Sequence, residues 1–269
     1  MSTLVHDKGI NSFIVNIRKD EQLFEIFEYC RSLRVHARVI PENKDIVSLL
    51  EKRLRTSGIS GPECFHLSRP EALEADIVNH VSVFSKLTKC PVAVMSLSSS
   101  EAAEVVLRQR NKMLVPEIPV TALEVKNDEK NSSLLRTSWE YVESPSALIS
   151  CLSSLPLCIC SSGCEMRKKD STVENRTQKA ASTVEERMSM LWTKGVLLGL
   201  IDPMRFVAIT SSNAAKLLDK CQKISCLFDR SKFIQQEKRS EEKVSKKIAY
   251  LEVELLLEQT RIWYYGNYP

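Results

Sequence analysis

Nine cysteines and four histidines are the candidate metal ligands and nucleophiles of this chain. Cys158, Cys160 and Cys164 form the tightest group, yet C-x-C-x3-C lacks the second pair that a zinc finger requires. Cys158 and Cys160 alternate with Leu157 and Ile159 in a strand-like run, which predicts buried thiols acting as small hydrophobes. The histidines are scattered. His6 lies at the start, His36 in a β-branched run, His66 in a predicted loop and His80 inside a predicted helix. A Ser-His or Cys-His pair needs a nucleophile at a sharp turn, and no G-x-S-x-G is present. The seven glycines form neither G-x-G-x-x-G nor a P-loop, so the sequence offers no such route to nucleotide binding.

The background composition excludes several other classes. At 269 residues the chain suits one barrel-sized domain or two ordinary ones. A 43% hydrophobic and 27% charged content is that of an ordinary globular protein. The net charge is only +4, and short basic runs such as Arg167-Lys168-Lys169 read as solvated surface. A nucleic-acid partner would call for a clustered basic face. Met1 to Asp7 contains no apolar core of a signal peptide, and no 18 apolar residues run uninterrupted. The expectation is a cytoplasmic, reducing compartment, with neither membrane nor nucleic acid as partner. The sequons at Asn131 and Asn175 carry little meaning there.

The elements that would position any site alternate in kind. Phe13 to Ile17 and Val35 to Ile40 read as strands, separated by an amphipathic helix over Glu21 to Leu33. Asp45 to Arg55 reads as a helix, and Gly58, Gly61 and Pro62 mark a loop. Arg69-Pro70-Glu71 opens a helix running to about Leu87, with Pro and acid in its first turn. Val92 to Met95 is a continuous apolar run of the kind buried in parallel sheets. Ser98-Ser99-Ser100-Glu101 caps the next helix. Val115 to Val125 is a weaker strand candidate, broken by Pro116 and Pro119. After a polar loop over Lys126 to Thr137 come a helix at Ser146 to Leu152 and a fifth strand at Leu155 to Cys160. Repeated strand-helix-strand order predicts βαβ units around a parallel sheet. A long helix over Glu185 to Leu200 and a second near Ser212 to Leu218 follow.

The last 51 residues differ in kind. Glu237 to Lys247 is dense in Lys and Glu, and Val244, Ile248, Leu251, Leu255 and Ile262 then make one apolar seam on a helix. The seam would serve a coiled-coil contact or pack on its own domain, and its length, short of three sustained heptads, favours the second. Trp263, Tyr264 and Tyr265 close the chain with aromatic surface that needs a cover or a partner.

Five segments in order carry a resemblance. They are Lys8-Gly9-Ile10-Asn11-Ser12-Phe13; Gly58-Ile59-Ser60-Gly61-Pro62-Glu63; Leu67-Ser68-Arg69-Pro70-Glu71; Glu185-Glu186-Arg187-Met188 with Trp192; and Phe206 to Lys216. Together they resemble the dihydropyrimidinase and collapsin-response-mediator (dihydropyrimidinase-related) branch of the amidohydrolase superfamily. The likeness spans roughly residues 4 to 218. It implies an α/β fold, a (β/α)8 TIM-type barrel, attached in the family to a small β-sandwich. The five strands would correspond to about strands 4 to 8, so the expectation is an incomplete barrel domain over 1-218. The β-sandwich would be absent, replaced over 219-269 by a charged linker and an amphipathic C-terminal helix.

The departures from the family pattern bear on function. Family enzymes bind two zinc ions at the C-terminal ends of the barrel strands, with an H-x-H on the first strand. Matching this chain to the fourth family strand leaves that pair out. Where the enzymes carry a carboxylated lysine after the first matched segment, this chain has Ile14. In the segment resembling V-H-A-E-N, Ile40 takes the ligand's place before Pro41-Glu42-Asn43. The next ligand position falls on Ser96, and the acid of the last strand falls near Gly163. His36 shares the strand face of position 40 but lies about 13 Å away at the rise of a strand, beyond reach of the same metal. Glu42, Asn43 and Ser144 match substrate-site positions and read as retained scaffold. No cofactor is expected.

Three readings follow. The first is a non-catalytic, dihydropyrimidinase-related protein that forms homo- or hetero-oligomers with family members and binds tubulin or other cytoskeletal proteins. The seam residues Val244, Ile248, Leu251, Leu255 and Ile262, with Trp263, would be its contact surface. The second is a metal-dependent hydrolase of cyclic amide C–N bonds, which requires the missing strands in another form of the protein. The third is a non-functional fragment.

Overall fold

The computed structural model describes residues 1–15, 19–123, 146–163 and 187–218. Runs of β-branched and small apolar residues form five short strands: β1 Ser12–Val15, β2 His36–Val39, β3 Val92–Val94, β4 Leu114–Pro119 and β5 Ile159–Ser161. They lie side by side in chain order, each pair parallel. Parallel neighbours require a crossover each time. Helix α1 (Ser2–Lys8) precedes the sheet, and α2 (Asp20–Ser32) links β1 to β2. Three helices, α3 (Lys44–Thr56), α4 (Gly61–Leu67) and α5 (Glu71–Thr88), join β2 to β3. Helix α6 (Ser100–Gln109) joins β3 to β4, and α7 (Ser146–Ser154) precedes β5.

Side chains alternate across a strand, and here the alternation sorts two unlike faces. Phe13, Val15, Ala37, Val39, Val92, Val94, Leu114, Ile118 and Cys160 face the helices and join one apolar core with Leu23, Phe27, Val78 and Val81. Burying each larger side chain stabilises the fold by about 1.5–3 kcal/mol. The other face carries Ser12, Ile14, His36, Arg38, Ala93, Val115 and Glu117 by the same alternation.

Local signals explain the helix ends. Asn43 accepts a hydrogen bond from the Ile46 backbone N–H at 3.1 Å, and Ser99 accepts one from Ala102 at 3.2 Å, each satisfying an orphan donor of a first turn. Pro70 sits at the N-cap of α5, one residue before the place its sequence position suggested.

Four readings of the sequence need correction. The Gly58-to-Pro62 loop gives way at Gly61 to α4, so His66 lies in a helix. Strand β4 runs through Pro116, whose Cα pairs with Val94, and ends at Pro119. The missing N–H of Pro116 does not stop it, and the next carbonyl, that of Glu117, accepts from the Leu97 backbone N–H at 2.8 Å. The expected long helix ends early. Its described part, α8, covers residues 187–191 and a π turn at Trp192–Val196. Beyond it Gly195 lies so close to Ile201 that a Cβ there would sit 2.8 Å from Ile201 Cδ1, and the chain reverses. The last helical stretch begins at Pro203, well before Ser212: α9 (Pro203–Val207), a π turn at Ala208–Ser212, and α10 (Asn213–Leu217).

That stretch touches both ends of the strand order. Asn213 Nδ2 donates to the Cys158 carbonyl at 2.8 Å, just before β5, while Asn11 Nδ2, just before β1, donates to the Leu218 carbonyl. The residues 219-269, with the expected tail helix, lie outside the described residues, as does Ser144.

Candidate functional site

In a parallel α/β sheet the chemistry belongs at the C-terminal ends of the strands, where the loops converge. The residues at that rim here are few and mostly unreactive. Ile14 is buried on the inner face of β1, opposite Arg38 in the ladder. Ile40 follows β2 on the face shared by His36 and Arg38. Ser96, beyond β3, is buried and holds a left-handed backbone with φ 53°. The other non-glycine residues of positive φ, Arg34, Lys89 and Arg110, follow helices, where such a conformation is common. Gly163, beyond β5, has φ 70°, and a Cβ there would meet Pro119 Cβ at 2.8 Å.

Behind this rim stands a node around Arg69. Its guanidinium donates to Glu42 at 2.9 Å, to Glu51 at 2.8 Å, to the Phe65 carbonyl at 3.1 Å and to Ser68 Oγ at 2.9 Å. It also stacks 3.8 Å above the Phe65 ring, a favourable cation–π arrangement. One side chain thus ties the loop after β2 to α3 and α4. Glu42 is consumed by this ion pair and Asn43 by its helix cap. The sequence singled both out as substrate-site positions, and the fold gives each a structural partner.

Lower on the inner face, Arg38 and Glu117 form an ion pair of 3.0 Å. The register places Ala93 between them on β3, and its small side chain leaves room for the pair to reach across a strand. Around it, Ser12 Oγ, His36 Nε2 and Arg38 Nε are buried without a hydrogen-bond partner among the described residues. Burial and the Arg38 charge push the His36 imidazole down to about 4, so it is neutral at physiological pH. Sequence reasoning missed this pair. The signal was present, since a charge inside Val35-His36-Ala37-Arg38-Val39 needs a partner once the strand is buried.

Among the described residues no three His, Cys, Asp or Glu side chains converge as a metal could use them. Cys158 and Cys160 are fully buried, as their alternation indicated, and burial raises both thiols, Cys160 to about 12. Neither forms a thiolate, the state that binds metal or attacks an electrophile.

No protein-family model matches the chain. Full-length comparisons do find relatives. The chain is 36% identical over 239 residues to protein unc-33 of Caenorhabditis elegans, an alignment covering 81% of this chain and 27% of that protein. It is 31% identical to human dihydropyrimidinase-related protein 5 (81% of this chain, 43% of the relative) and 33% identical to dihydropyrimidinase 2 of C. elegans (78% and 45%). The chain belongs to the dihydropyrimidinase and dihydropyrimidinase-related family. It spans less than half the length of these relatives. Among solved structures, dihydropyrimidinase from Brevibacillus agri superposes with TM-score 0.68 at 22% identity, covering 82% of this chain and 52% of that one. A D-hydantoinase from a Bacillus species gives 0.65 at 22% identity. These likenesses establish the fold: an α/β architecture whose parallel sheet matches the barrel domain of hydantoinases.

Within this family the zinc-binding positions can be tested against the residues present. An isoleucine packed in the sheet, a second isoleucine, a serine in a left-handed turn and a glycine supply no thiolate, imidazole or carboxylate. Two zinc ions do not fit this donor set.

Proposed function

We propose that this chain is a non-catalytic dihydropyrimidinase-related protein that acts in the cytoplasm by binding protein partners. One observation carries the reading: Ile14, Ile40, Ser96 and Gly163 occupy the places where the family resemblance puts metal ligands. Hydrolysis of a cyclic amide needs a metal-activated water and a base to move its proton. Here the carboxylate nearest the rim, Glu42, is bound to Arg69, and the inner-face carboxylate, Glu117, is bound to Arg38.

On this reading the strands stand for about strands 4 to 8 of the family barrel. An open sheet leaves two strand edges in need of cover, and association with copies of itself or with other family members supplies it. Tubulin or another cytoskeletal protein is the external partner, and the seam from Val244 to Ile262 with Trp263 is the contact surface.

Metal analysis of the purified full chain, with an assay of dihydrouracil turnover, tests the catalytic half. The expected outcome is substoichiometric zinc and no turnover above background. One zinc or more per chain, or turnover, overturns the reading in favour of a cyclic-amide hydrolase. Sedimentation of the full chain alone and with tubulin tests the other half. A strictly monomeric chain that does not co-sediment would remove the partner-binding claim.

A further inference from the structure

Five large apolar side chains stand exposed within eleven consecutive residues: Leu197 at 54%, Leu198 at 67%, Leu200 at 48%, Met204 at 81% and Val207 at 42%. The surface beneath them is firmly built. Trp192 and Phe206 meet edge to face at 5.2 Å and are buried, tying α8 to α9. Ile201 is packed onto Gly195, and Leu200 and Ile201 both donate to the Gly195 carbonyl at 2.9 and 3.0 Å. Arg205 donates to the carbonyls of Leu152 and Leu155 at the end of α7. The same turn that buries Ile201 therefore holds Leu197, Leu198 and Leu200 outward, and α9 turns Phe206 in while Met204 and Val207 face out. A single exposed leucine needs no explanation. A contiguous patch on rigid elements, of a few hundred Å² or more, marks a contact site.

We infer that this patch is the docking site for the chain's own C-terminal seam, the helix-patterned stretch Val244, Ile248, Leu251, Leu255 and Ile262. Length and attachment point select this occupant. The chain beyond α10 leaves at Leu218, at the end of the helical stretch that carries Met204 and Val207. Residues 219–243 then separate it from the seam, and a chain of that length can extend at most about 80–90 Å. That distance bridges neighbouring elements of one small domain. Such tethering gives an effective concentration in the millimolar range, so the seam in cis outcompetes a second copy present at micromolar concentration. An apolar stripe on a helix also matches a groove-free apolar patch better than the Lys- and Glu-rich stretch before it. The inference deepens the partner-binding proposal, because it makes the tail a surface that a partner must win from the patch, and it does not depend on the loss of catalysis.

Photocrosslinking in the full chain tests it. A benzophenone-bearing amino acid replaces Met204, whose exposure makes it tolerant, and the chain is prepared in light and heavy isotope forms and mixed at low micromolar concentration. The expected result is adducts to peptides within 244–262 that are all light–light or heavy–heavy, reduced at least fivefold by Ile248→Glu with Leu251→Glu. Those two substitutions are also expected to raise hydrogen exchange over 197–207 while leaving the thermal transition in place. Mixed light–heavy adducts would assign the patch to self-association and overturn the cis docking. Adducts that avoid 244–262 altogether would overturn any tail docking. Zinc content and turnover are read separately, so failure here is distinct from failure of the non-catalytic reading.

Discussion

The two faces of the sheet treat buried polar groups in opposite ways. On the helix side, Glu74 receives the backbone N–H groups of Ser98 at 3.1 Å and Ser99 at 2.7 Å, holding the start of α6. Negative charge there also complements the helix dipole. On the inner side, Ser12 Oγ, His36 Nε2 and Arg38 Nε are buried with no acceptor or donor supplied by the described residues. A buried polar atom left unpaired costs about 1–3 kcal/mol, and the inner wall holds three such atoms where the helix side holds one, Glu71 Oε1, among the described residues of these two layers. The inner wall is also where the family's chemistry would approach the sheet. The difference teaches that the layer joining α5 to α6 is held by polar clamps, while the rim is built of isoleucine, serine and glycine.

Restoring the family residue at the rim probes the contrast most severely. Ile14→Lys puts an ammonium on the inner face opposite Arg38, whose guanidinium already holds Glu117. An uncompensated buried charge costs about 3–5 kcal/mol. Urea unfolding is expected to show that loss at pH 7 and to recover part of it near pH 10, where the lysine is neutral. An unchanged midpoint would mean that the inner wall already holds a counter-charge.

His36 is the next probe. Its folded-state value, about 4, lies below the ordinary histidine value of 6.5, so the unfolded chain binds the extra proton between those pH values and stability falls as pH drops through that window. The difference amounts to about 3 kcal/mol by pH 4. His36→Leu removes both the titration and an orphaned nitrogen. The variant is expected to match the parent at pH 7 and to exceed it at pH 4, measured by thermal or urea unfolding. A variant that loses stability at pH 7 would show that Nε2 does have a partner.

Removing Arg69 probes the rim from behind. Arg69→Met keeps the bulk but takes from Glu42 and Glu51 the guanidinium they share, leaving Glu51 its 3.5 Å contact with the more exposed Arg55. The groups are about a fifth exposed, so the cost is set below that of a fully buried pair, at about 2 kcal/mol. Hydrogen exchange should rise at the loop after β2 and the start of α3, because Arg69 is what joins them.

Much of this architecture was legible beforehand, for physical reasons that vary by residue. The order of strands and helices followed from apolar periodicity, as at Leu23, Phe27 and Cys30 on α2. The Ser99 cap was readable because a side-chain oxygen before an apolar-periodic run has one job. Helix α4 was hidden, since Gly61 and Pro62 mark loops far more often than helix starts. The early start of α9 was hidden for a related reason: Asp202-Pro203 is an N-cap followed by an N1 proline, but it sits inside an apolar run that masks the boundary. The rim was legible only through the resemblance, because isoleucine and serine signal nothing by themselves. The Arg38–Glu117 pair and the Arg69 node depend on partners dozens of residues away, and no local pattern specifies them.

Glu71 gives the smallest effect and the sharpest test of the contrast, because it titrates against His36 in sign. It lies on the helix side, 5% exposed, with Oε2 accepting from the Glu101 backbone at 3.3 Å and Oε1 unpartnered. Burial raises its carboxyl above the ordinary 4.5, with Glu101 and Glu104 adding to the shift. A raised acid binds its proton more tightly in the fold, so the native state holds more protons above pH 4.5 and stability falls as pH rises through the raised value. His36 makes stability rise over weakly acidic pH, and Glu71 makes it fall. Glu71→Gln removes the falling component while keeping an oxygen for the α6 start, and a gain in stability smaller than the largest effects of the other variants is expected at pH 7. In the double variant with His36→Leu, stability between pH 4 and 6.5 is expected to lie flatter than in either single variant. Slopes that do not add would mean that the two faces are electrostatically coupled through the sheet, and the separation drawn between them would fail.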